Sequence, residues 1–352
     1  MHFPEWPSPR PLTSSRSWSE GRVAPELASQ AFDNPSMQQS PLTCVSESDS
    51  LEISSVRDWR HRSVMRVGNV AELWRYPVKS MRGERLQELQ VLHTYGVPGD
   101  RGWALRDEEA GEIRGAKKIT KLVQFAARYL AEPEGASTPP VEITFPDGVT
   151  VTSDDPGVEA ALSVALDRQV TLWPRQPADA LDHYRRVGTI DEADMRAQLA
   201  LLPDDALPDY RSVPEEVTSE LQTYVAPPGT YFDAFPLSLL TTSSMSALGI
   251  ASPGSVIDTR RFRQNVIVDS TDHRQGFIEP RWIGRELRVG SLRTTVVCPI
   301  SRCVMVTLPQ ADLPRDRSLM RTLVRETGMD LGVYLRIIEP GEVHVGDSVE
   351  VL

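Results

Sequence analysis

Apolar and polar residues alternate through much of the chain from about residue 65 onward, as in half-buried β-strands. In the first half this pattern predicts strands at residues 70–76, 85–92, 103–107, 141–145, 149–152 and 169–173. Residues 121–130 fit a helix or a strand, and residues 156–166 fit a short helix. In the second half the pattern predicts strands at 237–242, 264–269, 286–289, 292–298, 303–308 and 347–351, with helices at 243–249 and 315–328.

Many short strands with few helices are typical of barrel-like or sandwich-like architecture, so we expect a mostly β fold with some α. Two β-barrel-like domains are predicted, at residues 65–175 and 227–352. Residues 176–226 are rich in proline and acidic residues and predict a connecting region with a helix near 191–202. Residues 1–64 are rich in Pro and Ser and poor in periodic apolar residues, which is typical of a disordered extension. Translation could instead start at Met65.

Composition narrows the class of protein. A chain of 352 residues with 40% apolar content can supply two compact cores. Its net charge of −11 counts against nonspecific binding to nucleic acid or to an anionic membrane. No apolar run approaches the ~20 residues of a membrane helix. Three cysteines make no disulfide framework, so we expect a cytoplasmic protein, with mitochondrial targeting by the N-terminal segment as the alternative.

Common signatures of nucleotide and zinc sites are absent from the sequence. There is no Walker loop, no GxGxxG after a strand, no HExxH and no CxxC pair. The six histidines are scattered without the spacing of metal ligands. A zinc site is therefore not expected.

Cys303 is the most informative single residue. It follows Arg302 and precedes an apolar run that predicts a strand. A neighbouring cation lowers the pKa of a thiol, and the thiolate is the form that binds a soft metal or attacks an electrophile. Such a cysteine is, by itself, more often an inert core residue. A third interpretation pairs Cys298 with Cys303 as a redox couple in a metal-free binding protein.

Three short clusters place basic and amide side chains at strand ends. Lys79 and Ser80 follow the first strand, Arg101 begins a later one, and Arg263 and Asn265 precede an apolar run. Lysine and arginine suit phosphate, and an asparagine amide can read the edge of a heterocycle. Each cluster alone is also typical of a solvated strand end. Together with a cysteine, they suit an anionic, phosphorylated, heterocyclic cofactor that needs a soft ligand.

The same motifs resemble a known family. Residues 76–80 (YPVKS) and 99–103 (GDRGW) resemble the N-terminal β-barrel domain that precedes MOSC domains. Segments 261–265 and 277–284, Arg302-Cys303 followed by Thr307, and residues 341–347 resemble the MOSC domain itself. They occur in the family's order between Met65 and Leu352.

The resemblance implies a molybdenum cofactor held between the two barrels. In the amidoxime-reducing members of the family the matching cysteine binds molybdenum, which makes Cys303 the implied catalytic residue and metal ligand. The other implied cofactor contacts are basic, hydroxyl or amide residues: Lys79, Ser80, Arg101, Thr242, Ser243, Arg263, Asn265 and Arg302. Gln264 departs from the pattern, since the amidoxime reducers commonly have proline there.

The implied activity is reduction of small N-hydroxylated compounds, namely amidoximes, hydroxylamines or N-hydroxylated bases. The chain ends at Leu352 without the ferredoxin domain of some bacterial relatives. We therefore expect a separate electron-donor protein of the reductase, ferredoxin or cytochrome b5 type. The alternative is a cofactor-binding or sulfur-carrying module, as in molybdenum cofactor sulfurases. No pyridoxal-phosphate sulfurase domain precedes the MOSC-like region, which favours an independent enzyme.

Overall fold

The computed structural model describes residues 64–270 and 276–352. The predicted disordered extension thus lies outside the described residues, except for Val64. The described chain is mostly β, as predicted, with sixteen strands and seven α-helices.

The strands are β1 (Met65–Arg75), β2 (Glu84–Leu86), β3 (Glu88–Val91), β4 (Trp103–Asp107), β5 (Glu112–Ile113), β6 (Ala126–Tyr129), β7 (Val141–Thr144), β8 (Thr150–Thr152), β9 (Val170–Pro174), β10 (Leu237–Thr241), β11 (Val266–Ser270), β12 (Glu286–Val289), β13 (Leu292–Ser301), β14 (Asp330–Glu339), β15 (Gly341–His344) and β16 (Ser348–Val351). The helices are α1 (Val158–Leu166), α2 (Leu181–Tyr184), α3 (Glu192–Leu199), α4 (Glu215–Thr223), α5 (Thr242–Ala251), α6 (Thr259–Phe262) and α7 (Ser318–Thr327).

A closed seven-stranded barrel forms the C-terminal part of the fold. Its strand order is β11-β10-β14-β13-β12-β16-β1, and pairing of β1 with β11 closes it. Strand β13 shows why the sequence supports this, because its residues are alternately buried and half-buried along its whole length. The buried faces form one apolar core, and closure leaves the barrel without free sheet edges.

Strand β1 joins the two halves of the chain. It belongs to the predicted first domain, residues 65–175, but it pairs with β11 and β16 of the second. The boundary between residues 65–175 and 227–352 stays a prediction, while the barrel itself draws strands from both sides of it. Gly68 permits the close approach of β1 to β11, since a Cβ there would lie 2.2 Å from the Asp269 carbonyl oxygen.

Residues between β1 and β10 build a smaller unit. It contains two three-stranded antiparallel sheets, β5-β4-β9 and β6-β7-β8. The predicted hairpin is confirmed, because β7 pairs with β8. Isolated bridges from Val78 to Trp103 and from Arg82 to Ala126 attach these sheets to the turn after β1. That turn carries Lys79 and Ser80, so the second core positions two of the predicted site residues.

The connecting region is more helical than predicted. The helix expected near 191–202 is confirmed as α3, whose first turn is capped by the Asp191 carboxylate accepting from the Asp194 amide at 2.7 Å. Helices α2 and α4 were not predicted. Within residues 64–270 and 276–352, no helix is both long and apolar enough to cross a membrane.

One predicted strand is wrong, and the long strand β14 was not predicted. The strand predicted at 303–308 is wrong, because Val304–Thr307 is a 3-10 helix with Cys303 at its N-terminal cap. The Thr307 hydroxyl donates to the Val304 carbonyl at 2.7 Å and closes that turn locally. Strand β14 was missed, although it is among the longest, because Gly332 interrupts its apolar pattern; φ is 76° at that residue. Residues 121–130 contain a 3-10 helix, Thr120–Gln124, followed by β6.

Candidate functional site

A cavity of about 90 Å³ lies where the barrel meets the smaller unit. Five cationic side chains line it, together with one carboxylate, that of Asp233: Arg101, Lys117, Arg261, Arg263 and Arg302. This surplus of positive charge stands out in a chain whose net charge is −11. The cavity is therefore suited to a small anionic ligand.

Cys303 is on the wall of this cavity. Its backbone caps the 3-10 helix Val304–Thr307, and its thiol is free and partly buried. In the described residues no group of three or more His, Cys, Asp or Glu side chains could hold a metal ion. The Cys303 thiolate is the type of ligand that a soft metal prefers.

Arg302 is anchored on the backbone rather than on the neighbouring thiol. Its Nη1 donates to the Phe262 carbonyl at 2.8 Å and its Nη2 to the Leu331 carbonyl. Burial lowers the pKa of Arg302 to about 10. Its Nε is buried without a partner among the described residues, and the side chain is 94% buried, being 6% exposed. The cavity wall thus presents a donor that a ligand could satisfy.

Gln264 links Arg302 to Ser238 by hydrogen bonds, a role that the sequence did not indicate. With its amide oriented to satisfy both ends, the oxygen accepts from Arg302 Nη1 at 3.1 Å and the nitrogen donates to the Ser238 hydroxyl at 2.7 Å. Gly332 leaves room for this arrangement, because a Cβ there would lie 3.2 Å from both Arg302 Nη2 and the Gln264 amide. Gln264 therefore orients the Arg302 guanidinium.

Lys79 and Ser80 lie in the turn after β1. The Lys79 ammonium is nine-tenths buried and donates to the Tyr231 carbonyl and to Asp233 Oδ1, both at 2.8 Å. Burial lowers the pKa of Lys79 in spite of Asp233. The Ser80 hydroxyl accepts from the Ala116 amide at 2.9 Å. Both residues line a second cavity of about 200 Å³, which shares three wall residues with the first: Lys117, Asp233 and Met305.

Arg101 and Arg263 flank the ring of Tyr76. Their guanidinium carbons lie 5.2 Å and 4.2 Å from its centre, within the range of a cation–π contact. Arg101 is paired with Asp100, which with Asp233 raises the pKa of Arg101 although burial opposes this. Within residues 64–270 and 276–352 no carboxylate pairs with Arg263; burial, and then Arg101, lower its pKa to about 10. Its buried Nη2 has no hydrogen-bond partner in the described residues, as expected of an anion-binding group.

Backbone conformation also singles out these residues. Seven non-glycine residues in the described ranges have positive φ, and three of them are predicted site residues: Ser80 (70°), Arg101 (49°) and Arg263 (55°). Such conformations are unfavourable for residues with a Cβ and cluster at functional sites. The turns that present the predicted cation cluster are thus held in an uncommon geometry by their surroundings.

Three predicted contacts, Asn265, Thr242 and Ser243, line neither of these two cavities. The Asn265 amide is already committed to the Ser238 hydroxyl at 2.9 Å and to Asp100 Oδ2 at 3.0 Å. Thr242 and Ser243 begin α5, at the end of β10 away from the Ser238 that lines the cavity. Thr242 donates to Asp269 at 3.0 Å and Ser243 to the Gly276 carbonyl at 3.1 Å. The cofactor roles of Asn265, Thr242 and Ser243 stay predictions.

Two wall residues were missed by sequence reasoning, Lys117 and Asp233. Asp233 and Cys303 raise the pKa of Lys117, against the effect of burial. The pKa of Asp233 is held well below its usual range, because Lys79, Lys117 and Arg101 outweigh burial. Lys117 and Lys118 are adjacent and come shortly after Gly115, which weakly indicates a basic turn. Asp233 carried no signal of its own.

Cys298 differs from Cys303. It lies on β13 with no exposed surface, and burial, with Asp330 adding to it, raises its thiol pKa to about 12. A thiol with so high a pKa is a poor nucleophile at neutral pH. The interpretation of Cys298 and Cys303 as a redox couple is disfavoured for this reason.

Comparison with known families agrees with the architecture. The MOSC N-terminal beta barrel domain matches residues 67–174, and the MOSC domain matches residues 228–350. The chain therefore belongs to the MOSC-domain proteins that carry this N-terminal barrel domain.

Individual relatives are more distant. "Mitochondrial amidoxime-reducing component 1" of Mus musculus is 24% identical over 329 residues, which cover 84% of this chain and 86% of that protein. "Molybdenum cofactor sulfurase 2" of Culex quinquefasciatus is 33% identical over 106 residues, or 28% of this chain and 13% of that protein. The crystal structure of the YUAD protein from Bacillus subtilis aligns with a TM-score of 0.36 at 11% identity, covering 82% of this chain and 97% of that one. A score this low supports no argument about fold or function.

Proposed function

We propose that the protein is a molybdenum-cofactor-dependent oxidoreductase that reduces N-hydroxylated compounds such as amidoximes, hydroxylamines and N-hydroxylated bases. The observation that carries this proposal is a cation-rich cavity with the Cys303 thiol on its wall, in a chain that contains both family domains. Similarity to an amidoxime-reducing component over most of both chains supports the reaction class.

The residues present fit the molybdenum cofactor, a phosphorylated pterin that carries its metal on two sulfur atoms. Lys79, Arg101 and Arg263 would hold the anionic side, where Arg263 Nη2 is a buried donor still without a partner. The Ser80 hydroxyl lies beside Lys79 and would add a neutral contact. Cys303 would supply the single protein ligand that a metal already bound to sulfur still needs.

When bound, the cofactor would supply a two-electron centre that takes up the oxygen of an N–OH group. The net reaction consumes two electrons and two protons and yields the amine or amidine and water. The chain's own contribution is positional. The 3-10 helix after Cys303 holds the backbone of this residue through the bond from the Val306 amide to the Cys303 carbonyl, and the cationic wall would offset the negative charge of the ligand. Lys117 Nζ keeps a proton in the cavity that Cys303 lines, because its pKa is raised.

Electrons would come from a separate donor protein of the reductase, ferredoxin or cytochrome b5 type. This part of the proposal rests on the stoichiometry, since each turnover needs two electrons from outside the active site. We also propose the reducing cytosol as the location, which fits the two free cysteines of the described residues.

The first experiment is elemental analysis of protein from a host that makes the cofactor. About one molybdenum per chain is expected, together with turnover of a simple amidoxime when an artificial electron donor is supplied. Folded protein from a competent host with no molybdenum would refute the proposal.

A second candidate is a module that binds the cofactor or carries sulfur without reducing N-hydroxylated substrates. The 33% identity to a molybdenum cofactor sulfurase over 106 residues favours it. The same experiment separates the two candidates. Molybdenum bound without turnover of any amidoxime, hydroxylamine or N-hydroxylated base would support the module.

A further inference from the structure

Asp233 is the one carboxylate among the described residues that line the cation-rich cavity. Its Oδ1 accepts from the Lys79 ammonium at 2.8 Å, and it also lines the adjoining cavity beside Lys117. The Asp233 carboxylate thus occupies the position beside Lys79 that a phosphate group of a ligand would otherwise occupy. No motif predicted this, and the proposed reaction makes no use of it.

The two members of the ion pair differ in their access to water. The Asp233 side chain is 53% exposed, whereas that of Lys79 is 11% exposed. Asp233 lies in the segment between the connecting region and β10, and Lys79 is fixed by a second bond to the Tyr231 carbonyl. The carboxylate can therefore turn toward solvent while the ammonium stays in place.

An anion that enters the cavity meets Asp233 in one of two ways. It can displace the carboxylate from Lys79 and replace that ion pair, or it can lie beside the carboxylate and experience repulsion. Between unit charges this repulsion is large at a few ångströms when the surroundings are only partly hydrated. A ligand that offers nothing but charge has no compensation for either outcome. A ligand that also forms a bond at Cys303 gains free energy from that bond, which compensates for the unfavourable interaction with Asp233.

We propose that Asp233 is a specificity-determining counter-ion, which balances the cations of the ligand-free cavity and selects against simple inorganic anions. This inference rests on the anionic ligand of the proposed function and adds how the site rejects free phosphate. Asp233 makes the binding of any anion less favourable, and only a ligand with additional contacts in the cavity overcomes this cost in free energy.

The test is titration of the full-length, ligand-free protein with inorganic phosphate, followed by isothermal calorimetry. Asp233→Asn should bind phosphate about tenfold more tightly than the wild type, and the gain should shrink as sodium chloride is raised. Lys79→Met should bind more weakly than the wild type. Glu132→Gln is the matched control, because it removes an exposed carboxylate from its pair with the buried Arg75, outside the cavity wall. It should leave phosphate affinity unchanged.

Unchanged or weaker binding by Asp233→Asn would overturn the inference, since Asp233 would then only hold Lys79 in position. Absence of phosphate binding by every variant would overturn it as well. Asp233→Ser provides a second neutral variant if the asparagine protein does not fold. The molybdenum content of the wild type tests the proposed function separately. A wild type without molybdenum refutes that function and leaves the phosphate comparison valid, whereas molybdenum with unchanged phosphate affinity refutes the inference alone.

Discussion

Two cysteines only five positions apart have different chemistry because of where the backbone places them. Cys298 is fully buried on β13, and burial keeps its thiol protonated. Cys303 follows the end of the same strand, caps a short helix and reaches a cavity. At the scale of a residue, the position relative to the strand end decides which thiol is available to a ligand.

Replacing Cys303 by alanine should abolish amidoxime turnover and lower molybdenum per chain, because the cavity then lacks a soft protein ligand. The change removes one small, partly buried group, so the free energy of unfolding should fall by only about 1–2 kcal/mol. Elemental analysis and urea denaturation measure the two effects.

Cys298→Ala is the control for this prediction. It removes a fully buried thiol of β13 that does not line the cavity, so it should lower stability while leaving molybdenum content close to that of the wild type. Full molybdenum content and full turnover in Cys303→Ala would show that the metal ligand has been assigned to the wrong residue.

At the scale of an element, the segment after Cys303 depends on one buried arginine. Arg261 is 1% exposed, and its guanidinium donates to the carbonyls of Val306 (3.2 Å), Leu308 (3.3 Å) and Pro314 (2.8 Å). These bonds explain why residues 304–307 form a 3-10 helix although their apolar pattern predicts a strand. A side chain remote in sequence satisfies the carbonyls that a neighbouring strand would otherwise have satisfied.

Arg261→Met should therefore lower the free energy of unfolding by about 2–4 kcal/mol, because several buried carbonyls lose their donors. Hydrogen exchange of residues 304–308 should accelerate more than that of the barrel strands. Arg260→Met is the matched control, since Arg260 pairs with Asp258 and Asp312 at a partly exposed site. Equal losses of stability in the two variants would contradict the idea that Arg261 holds residues 304–307 in their 3-10 helix.

The turn between β4 and β5 has a pH-dependent anchor. Asp107 is fully buried, and its Oδ2 accepts from Arg168 at 2.6 Å and from Arg114 at 3.3 Å. Burial alone would raise the pKa of this carboxyl, but the Ala110 amide and Arg168 outweigh burial and lower it. A lowered pKa means that the ionised form is stabilised on folding. This contribution is complete above the unfolded pKa of about 3.9 and is lost as pH falls through the folded value.

Asp107→Asn should consequently be less stable than the wild type at pH 7, and the difference should narrow below about pH 4. Thermal unfolding across a pH series measures this. The exposed Asp147→Asn is a suitable comparison, because it removes one carboxylate without a buried ion pair. A stability difference that is independent of pH would show that Asp107 acts through packing alone.

Several elements could be predicted because the residues that determine them lie close together in the sequence. The hairpin of β7 and β8 and the helix α3 have turn or capping residues within a few positions of their ends. Strand β14 could not be predicted in the same way. Its Gly332 resembles a turn in sequence, yet in the structure it provides space for Arg302 and Gln264. That requirement comes from tertiary contacts, which a single segment does not reveal.

At the scale of the whole molecule, the site is assembled from segments that lie far apart in the chain. Lys79, Arg101 and Arg263 were found because each lies in a motif that resembles the family. Lys117 and Asp233 meet them only after the smaller unit and the connecting region have folded onto the barrel. Asp233, for example, pairs with Lys79, which lies 154 positions earlier in the chain, so no local pattern indicates this contact.

Closure of the barrel also depends on long-range contacts, because β1, near the start of the described chain, pairs with β11 and β16. Gly68 of β1 pairs with Ser270 of β11 and with Val349 of β16, and a Cβ at Gly68 would also lie 2.7 Å from Val268 Cγ1. Gly68→Ala should force β1 away from β11 and lower the free energy of unfolding by about 1–3 kcal/mol. Because β1 continues into the turn that carries Lys79 and Ser80, molybdenum content should fall with it. Calorimetry and elemental analysis measure the two quantities on the same sample.

Gly249→Ala is the matched control for this substitution. Gly249 lies inside α5, and a Cβ there would meet only Ile257 Cγ1, at an ordinary 3.5 Å. Alanine should therefore stabilise the protein by up to about 1 kcal/mol through its better helix propensity. If Gly68→Ala is as stable as the wild type, the contact between β1 and β11 is looser than the geometry indicates. If it is destabilised but keeps its full molybdenum content, the site does not depend on barrel closure, and the turn after β1 is held by the smaller unit alone.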